Sequence, residues 1–154
     1  VYRETLRSNL EQILRSWYVW FYQVPKLPEW MLRRNGMDNM VASLEVTSNS
    51  GTFDEETIER YRAAWRHTGV HPRINWYRGF RRSDRPPRDT VTQPTLICWG
   101  EDDIALRSSM AKKSVDQCEN GQLRMFPDAS HWVHHEREEV TEAVLHHLSE
   151  TTNQ

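Results

Sequence analysis

Residues 94–106, PTLICWGEDDIAL, and residues 127–140, PDASHWVHHEREEV, decide how this chain is read. PTLICWG is a short apolar run opened by Pro94 and closed by Gly100, which predicts a buried strand. GEDDIALRS is a turn, 109–116 is helical, and QLRMF is a second strand. PDASHW is then a loop, and Val140, Val144, Leu145 and Leu148 mark a last amphipathic helix. Strand, loop, helix, then strand, loop, helix is the signature of a parallel α/β sheet with functional loops at the strand ends. Two strands do not make a stable parallel sheet covered on both faces. This half is therefore expected to be a fragment of a larger fold.

Upstream the period is different. Leu6, Leu10, Ile13, Leu14, Trp17 and Phe21 fall on one stripe at three- and four-residue spacing. Tyr18, Trp20 and Tyr22 widen it, so the expectation is one helix needing cover on more than one side. Pro25 and Pro28 end that helix, Pro28 opens PEWMLRRNG, and Gly36 closes it. A further helix is expected over 37–46. Thr52 with Glu55 has capping-box spacing for a helix through FDEETIERYRAAWRH, with Ile58, Tyr61, Ala64 and Trp65 as its apolar stripe and Gly69 as its stop. Pro72 begins PRINWYRGFRR. SDRPPRDTVTQ is a polar linker, so the chain divides into helices over 1–83 and an α/β segment over 84–154.

Composition excludes several classes. The 154 residues fit about one domain. The net charge is -2 with acids and bases interspersed, so neither nucleic acid nor an anionic membrane is an expected partner. Arg78 to Arg88 holds five Arg, but Asp84 and two prolines interrupt it, and it reads as a solvated linker. Mean hydropathy is -0.83, and no run approaches the ~18 apolar residues of a membrane span. Cys98 and Cys118 make no disulfide framework, which points to a reducing, cytoplasmic compartment. The chain opens on Val1 directly into a helical pattern, as though cut from a longer one.

The chemistry gathers in the two strand-end loops. An acid in Glu101-Asp102-Asp103 and His131 lie on loops at the C-terminal ends of neighbouring parallel strands, where they can meet. A carboxylate accepting from one imidazole nitrogen fixes the tautomer and leaves the other nitrogen as a base. Against this, Asp103 could be a turn residue with Asp102 as its rival, and His131 could be structural. Tyr18 and Tyr77 lie among other aromatics and could be core. His131, His134 and His135 lack the Glu of a zinc-binding HExxH helix, so no metal is expected. His146 and His147 suit a helix C-terminus.

WGEDDIAL followed by a helix, then PDASHWVHHEREEV and a final helix, resembles the ending of the α/β-hydrolases. With SWYVWFYQVPKLPE and TGVHPRINWYRGFRR, the chain resembles the second half of the epoxide hydrolases over essentially all of its length. The resemblance implies the C-terminal part of an α/β-hydrolase fold: a helical lid over 1–83, then the last two parallel strands and helices of the core over 84–154. It implies that Asp103 is the relay acid, His131 the water-activating base, and Tyr18 and Tyr77 the lid tyrosines that hold the epoxide oxygen. The family's aspartate nucleophile and an HG-type oxyanion turn would lie upstream of Val1. The implied partners are a small apolar epoxide, water and the first half of the fold, with no cofactor. Two alternatives stay open. Similar haloalkanoate-type dehalogenases carry His-Trp where this chain has Trp17-Tyr18, and the chain could be a non-catalytic fragment or half of a split protein.

Overall fold

A computed structural model describes residues 1–79 and 90–152. The helical part comprises α1 (Tyr2–Ser8), α2 (Leu10–Arg15), α3 (Trp17–Phe21), α4 (Leu27–Arg33), a 3-10 turn (Arg34–Met37), α5 (Asp38–Val46), α6 (Glu55–Thr68) and α7 (His71–Gly79). The second part comprises β1 (Thr95–Gly100), α8 (Ser109–Val115), β2 (Gly121–Phe126), α9 (Val133–Glu136) and α10 (Glu138–Thr152). The expected boundary at 83/84 and most of the linker lie outside the described residues.

The first helix is not continuous. Asn9 takes an extended conformation, with φ -126° and ψ 107°, and its side chain accepts from Gln12 N at 3.0 Å. Asn is a better cap than helix interior, so the chain restarts there. A second break falls at Ser16. The breaks re-aim the helical surface. Leu10, Leu14 and Trp17 of the apolar stripe are 72%, 67% and 61% exposed, while Thr5, Gln12, Ser16 and Val19 are buried. The spacing marks helix, but only part of the stripe turns inward: Leu6, Ile13 and Phe21 are half-buried.

α4 carries Pro28 in its first turn, as expected. The cap of α6 is Asp54 rather than Thr52: its carboxylate accepts from Thr57 N at 2.8 Å. The single Thr52 hydroxyl proton is instead shared between Asn49 O and Glu136 Oε1. Gly69, with φ 70°, ends α6.

Among the described residues there are two cores. Leu32, Met40, Val41, Leu44, Trp65, Val70 and Ile74 form one, joining α4 to α7. Ala129, Val133 and Val140, with Cys98 and Phe126 against them, form the other around the strand ends. β1 and β2 pair in parallel, with Thr95 opposite Gly121 and Gly100 opposite Phe126. They are only partly buried. In α10, Val140 of the expected stripe is buried together with Ala143, whereas Val144, Leu145 and Leu148 are exposed. Among the described residues the cover comes from one neighbouring strand and a few helices, which is too little to enclose a sheet.

Gly100 brings the two strand-end loops together. A Cβ there would collide with the carbonyls of Ala129 and Ser130. The Glu101 and Asp102 amides also donate to Phe126 O and Ala129 O at 3.0 and 2.9 Å. The acid loop thus lies directly against the histidine loop.

Candidate active site

Asp103 and His131 meet. Asp103 Oδ2 is 2.9 Å from His131 Nδ1, and the Asp103 side chain is 6% exposed against 37% for His131. Asp103 Oδ1 accepts from the Ala105 and Leu106 amides, both at 2.8 Å. The carboxylate is thus held by its own loop while its other oxygen faces the imidazole. Asp102 is exposed and takes part through its backbone. Asp128, at φ 55°, turns the chain beyond β2 so that Ser130 and His131 come back over β1. Asp is among the few residues that adopt this left-handed conformation readily.

Tyr18 and Tyr77 also meet, with ring centroids 5.5 Å apart and planes at 90°. Tyr22 completes a three-ring cluster, 5.1 Å from Tyr77 and 5.9 Å from Tyr18. Burial pushes all three phenols up from their ordinary range, and neighbouring Tyr77 pushes Tyr18 and Tyr22 up further. The phenols are thus kept protonated and are donors at neutral pH. Arg78 holds α7 in place for this meeting. It donates to Tyr22 O at 2.9 Å, to Val24 O at 3.0 Å and to Glu29 Oε1 at 2.6 Å. The bond from Arg78 holds the Glu29 carboxyl below the usual range.

The structure therefore arranges the four predicted residues as two pairs, and α2 ties the pairs together. Gln12, fully buried, donates to Ala105 O at 2.9 Å and accepts from Arg107 N at 3.1 Å. Arg15 donates to Asp103 O at 3.0 Å. Ser16, between α2 and α3, accepts from both Gln12 Nε2 and the Tyr2 hydroxyl at 2.9 Å. On the other side Trp132 Nε1 donates to Thr47 Oγ1 at 2.8 Å and its ring packs on Phe53. Sequence reasoning did not single out Gln12, Arg15, Tyr22, Arg78 or Glu136. Gln12 left one signal, a polar residue next to an apolar stripe, and Tyr22 another, an aromatic that widens that stripe; Arg15, Arg78 and Glu136 left none.

Among the described residues no group of three or more His, Cys, Asp or Glu side chains is placed to hold a metal ion. No described helix is long and apolar enough to cross a membrane.

The family model of the α/β hydrolase fold matches residues 6–138. The chain belongs to the α/β-hydrolase fold family. This α/β hydrolase is 33% identical to the AB hydrolase superfamily protein YfhM of Bacillus subtilis, over 87% of the chain and 48% of that protein. It is 28% identical to epoxide hydrolase 1 of Caenorhabditis elegans, over 99% of the chain and 39% of the relative. Human epoxide hydrolase 4 is also 28% identical, over 94% and 42%. The fold superposes on an inhibitor-bound epoxide hydrolase of Bacillus megaterium with a TM-score of 0.78, at 20% identity, over 96% of this chain and 56% of the other. The chain thus spans less than half the length of these sequence relatives.

Proposed function

We propose that this α/β hydrolase contributes the lid and the water-activating pair of an epoxide hydrolase, and that the nucleophile comes from chain outside these 154 residues. The division into a lid over 1–83 and the end of the core over 84–154 is part of the same reading. The observation that carries it is the 2.9 Å approach of Asp103 to His131 at the ends of paired parallel strands. The similarity to proteins named epoxide hydrolases supplies the substrate class.

The chemistry suits the residues. An epoxide oxygen is a poor leaving group until it is hydrogen-bonded or protonated. Tyr18 and Tyr77 are neutral donors that supply those bonds as negative charge develops. A carboxylate nucleophile opens the ring and leaves an alkyl ester on the protein. His131, oriented by Asp103, takes a proton from water, and the hydroxide attacks the ester. The carboxylate is regenerated and a vicinal diol leaves; the proton that a tyrosine gave to the opened oxygen is restored by the His131 imidazolium, so the net reaction is epoxide plus water to diol. A cytoplasmic location accompanies this reading, on the two free cysteines.

Mass spectrometry of the full-length His131→Ala protein tests it. Ring opening does not need His131, whereas ester hydrolysis does. Incubation with styrene oxide should therefore add one substrate mass to the protein, and the adduct should persist. An adduct from a haloacid alone, with none from the epoxide, would replace this reading with the dehalogenase. No adduct from either, in a folded protein, removes His131 from the role of base.

A further inference from the structure

We propose that Glu136 is a positioning residue for His131, the carboxylate through which the seated lid fixes the histidine loop. The inference deepens the proposed function, since it takes His131 as the water-activating base.

Glu136 lies five residues beyond His131, at the end of α9. Its carboxylate accepts five hydrogen bonds from two directions. From the histidine loop, Ser130 N donates to Oε2 at 2.6 Å and Ser130 Oγ to Oε1 at 2.5 Å. From the lid, Asn49 N donates to Oε1 at 2.9 Å, Thr52 Oγ1 to Oε1 at 3.0 Å and Asn49 Nδ2 to Oε2 at 3.1 Å. The same Asn49 amide also donates to Asp128 O at 2.7 Å, at the start of the loop. Ser130 is buried, and its hydroxyl accepts from Trp132 N at 3.2 Å. Ser130, just before His131, is thus held by a group that is itself held by the lid, and Trp132, just after it, is held in turn by the Ser130 hydroxyl.

The residue type matters. Two of the donors are backbone N–H groups that cannot turn round, Ser130 N on one oxygen and Asn49 N on the other. A carboxylate accepts both. An amide has one oxygen, so Gln would satisfy one backbone donor and set its own NH₂ against the other. Burial pushes the Glu136 carboxyl up, but the bonds from Asn49, Ser130 and Thr52 outweigh it and hold the group below its ordinary range. The charged acceptor is therefore the form the site favours. The consequence for the reaction is geometric: a base displaced by about 1 Å loses on the order of 100-fold in rate.

Glu136→Gln in the full-length protein tests this with two readouts. The first is the alkyl-enzyme adduct followed by rapid-quench mass spectrometry with styrene oxide. Adduct formation should stay within about 2-fold of wild type, while its hydrolysis slows about 10- to 100-fold. The second needs no substrate: the downfield proton resonance of His131 Nδ1–H against Asp103 should broaden or shift. Equal slowing of both steps with an unchanged resonance would make Glu136 merely structural and overturn the proposal. Unchanged hydrolysis would overturn it too. A changed resonance in a protein whose wild-type and His131→Ala forms make no adduct supports the Glu136 assignment while removing the epoxide reading. Should Glu136→Gln fail to fold, Thr52→Val removes one lid-side donor and should slow the hydrolysis step alone; no slowing there counts against the proposal.

Discussion

Replacing one phenol by a phenyl ring at Tyr18 or Tyr77 removes a hydroxyl and little else. The rings pack edge to face at 5.5 Å, so the remaining tyrosine keeps its place. Tyr18→Phe or Tyr77→Phe should therefore slow adduct formation by roughly 10- to 1000-fold, as for the loss of one oxyanion donor. The double substitution should nearly abolish it. Hydrolysis of any adduct that forms should keep its wild-type rate, because His131 and Asp103 are untouched. Rapid-quench mass spectrometry separates the steps, and a change confined to hydrolysis would count against the tyrosines as donors to the epoxide oxygen. At the same scale, Asp103 rather than Asp102 contacts the imidazole because its carboxylate is turned inward by the amides of Ala105 and Leu106.

Short helices here act as brackets for side chains. Arg78 connects α7 to the turn after α3 through two backbone carbonyls and to α4 through Glu29, and thereby sets Tyr77 against Tyr18. Lysine at this position would keep the charge but lose the planar fork that reaches two backbone carbonyls and Glu29 together. Arg78→Lys in the full-length protein should then imitate Tyr77→Phe: slower adduct formation, unchanged hydrolysis, and a lower thermal midpoint. Normal adduct formation in this variant would show that α7 is held by its core residues alone, Ile74 foremost.

Across the whole molecule, stability should fall on both sides of neutrality. Glu29 and Glu136 are held below the carboxylate range, so the stability they contribute is present above pH about 4.3. It is lost as pH falls through their folded values. The three phenols are pushed up, so below pH about 10 they cost nothing. Above it the unfolded chain ionises first, and folding weakens as pH rises. Thermal midpoints measured from pH 3 to 11 check this. Tyr22→Phe should flatten the alkaline fall, and an alkaline fall unchanged in that variant would exclude the cluster as its cause.

The sequence by itself determined the succession of a helical part and a strand-loop-helix part, the parallel sense of the two strands, and the acidic and histidine loops at their ends. These are local properties: period, turn residues and the spacing of a loop after a strand. It also determined that Tyr18 and Tyr77 sit in helices, and the family pattern singled them out from other aromatics. Only the tertiary structure decided which face of each helix is buried. Asn9 and Ser16 break the first helix, and a change of a few backbone angles turns Leu10, Leu14 and Trp17 outward and Gln12 inward. Only the tertiary structure gave Glu136 its partners, because Asn49 and Thr52 are more than 80 residues away in sequence. A hydrogen bond needs two groups within about 3 Å. Spacing along the chain predicts that for neighbours on one helix or loop, and it is silent for residues that only folding brings together.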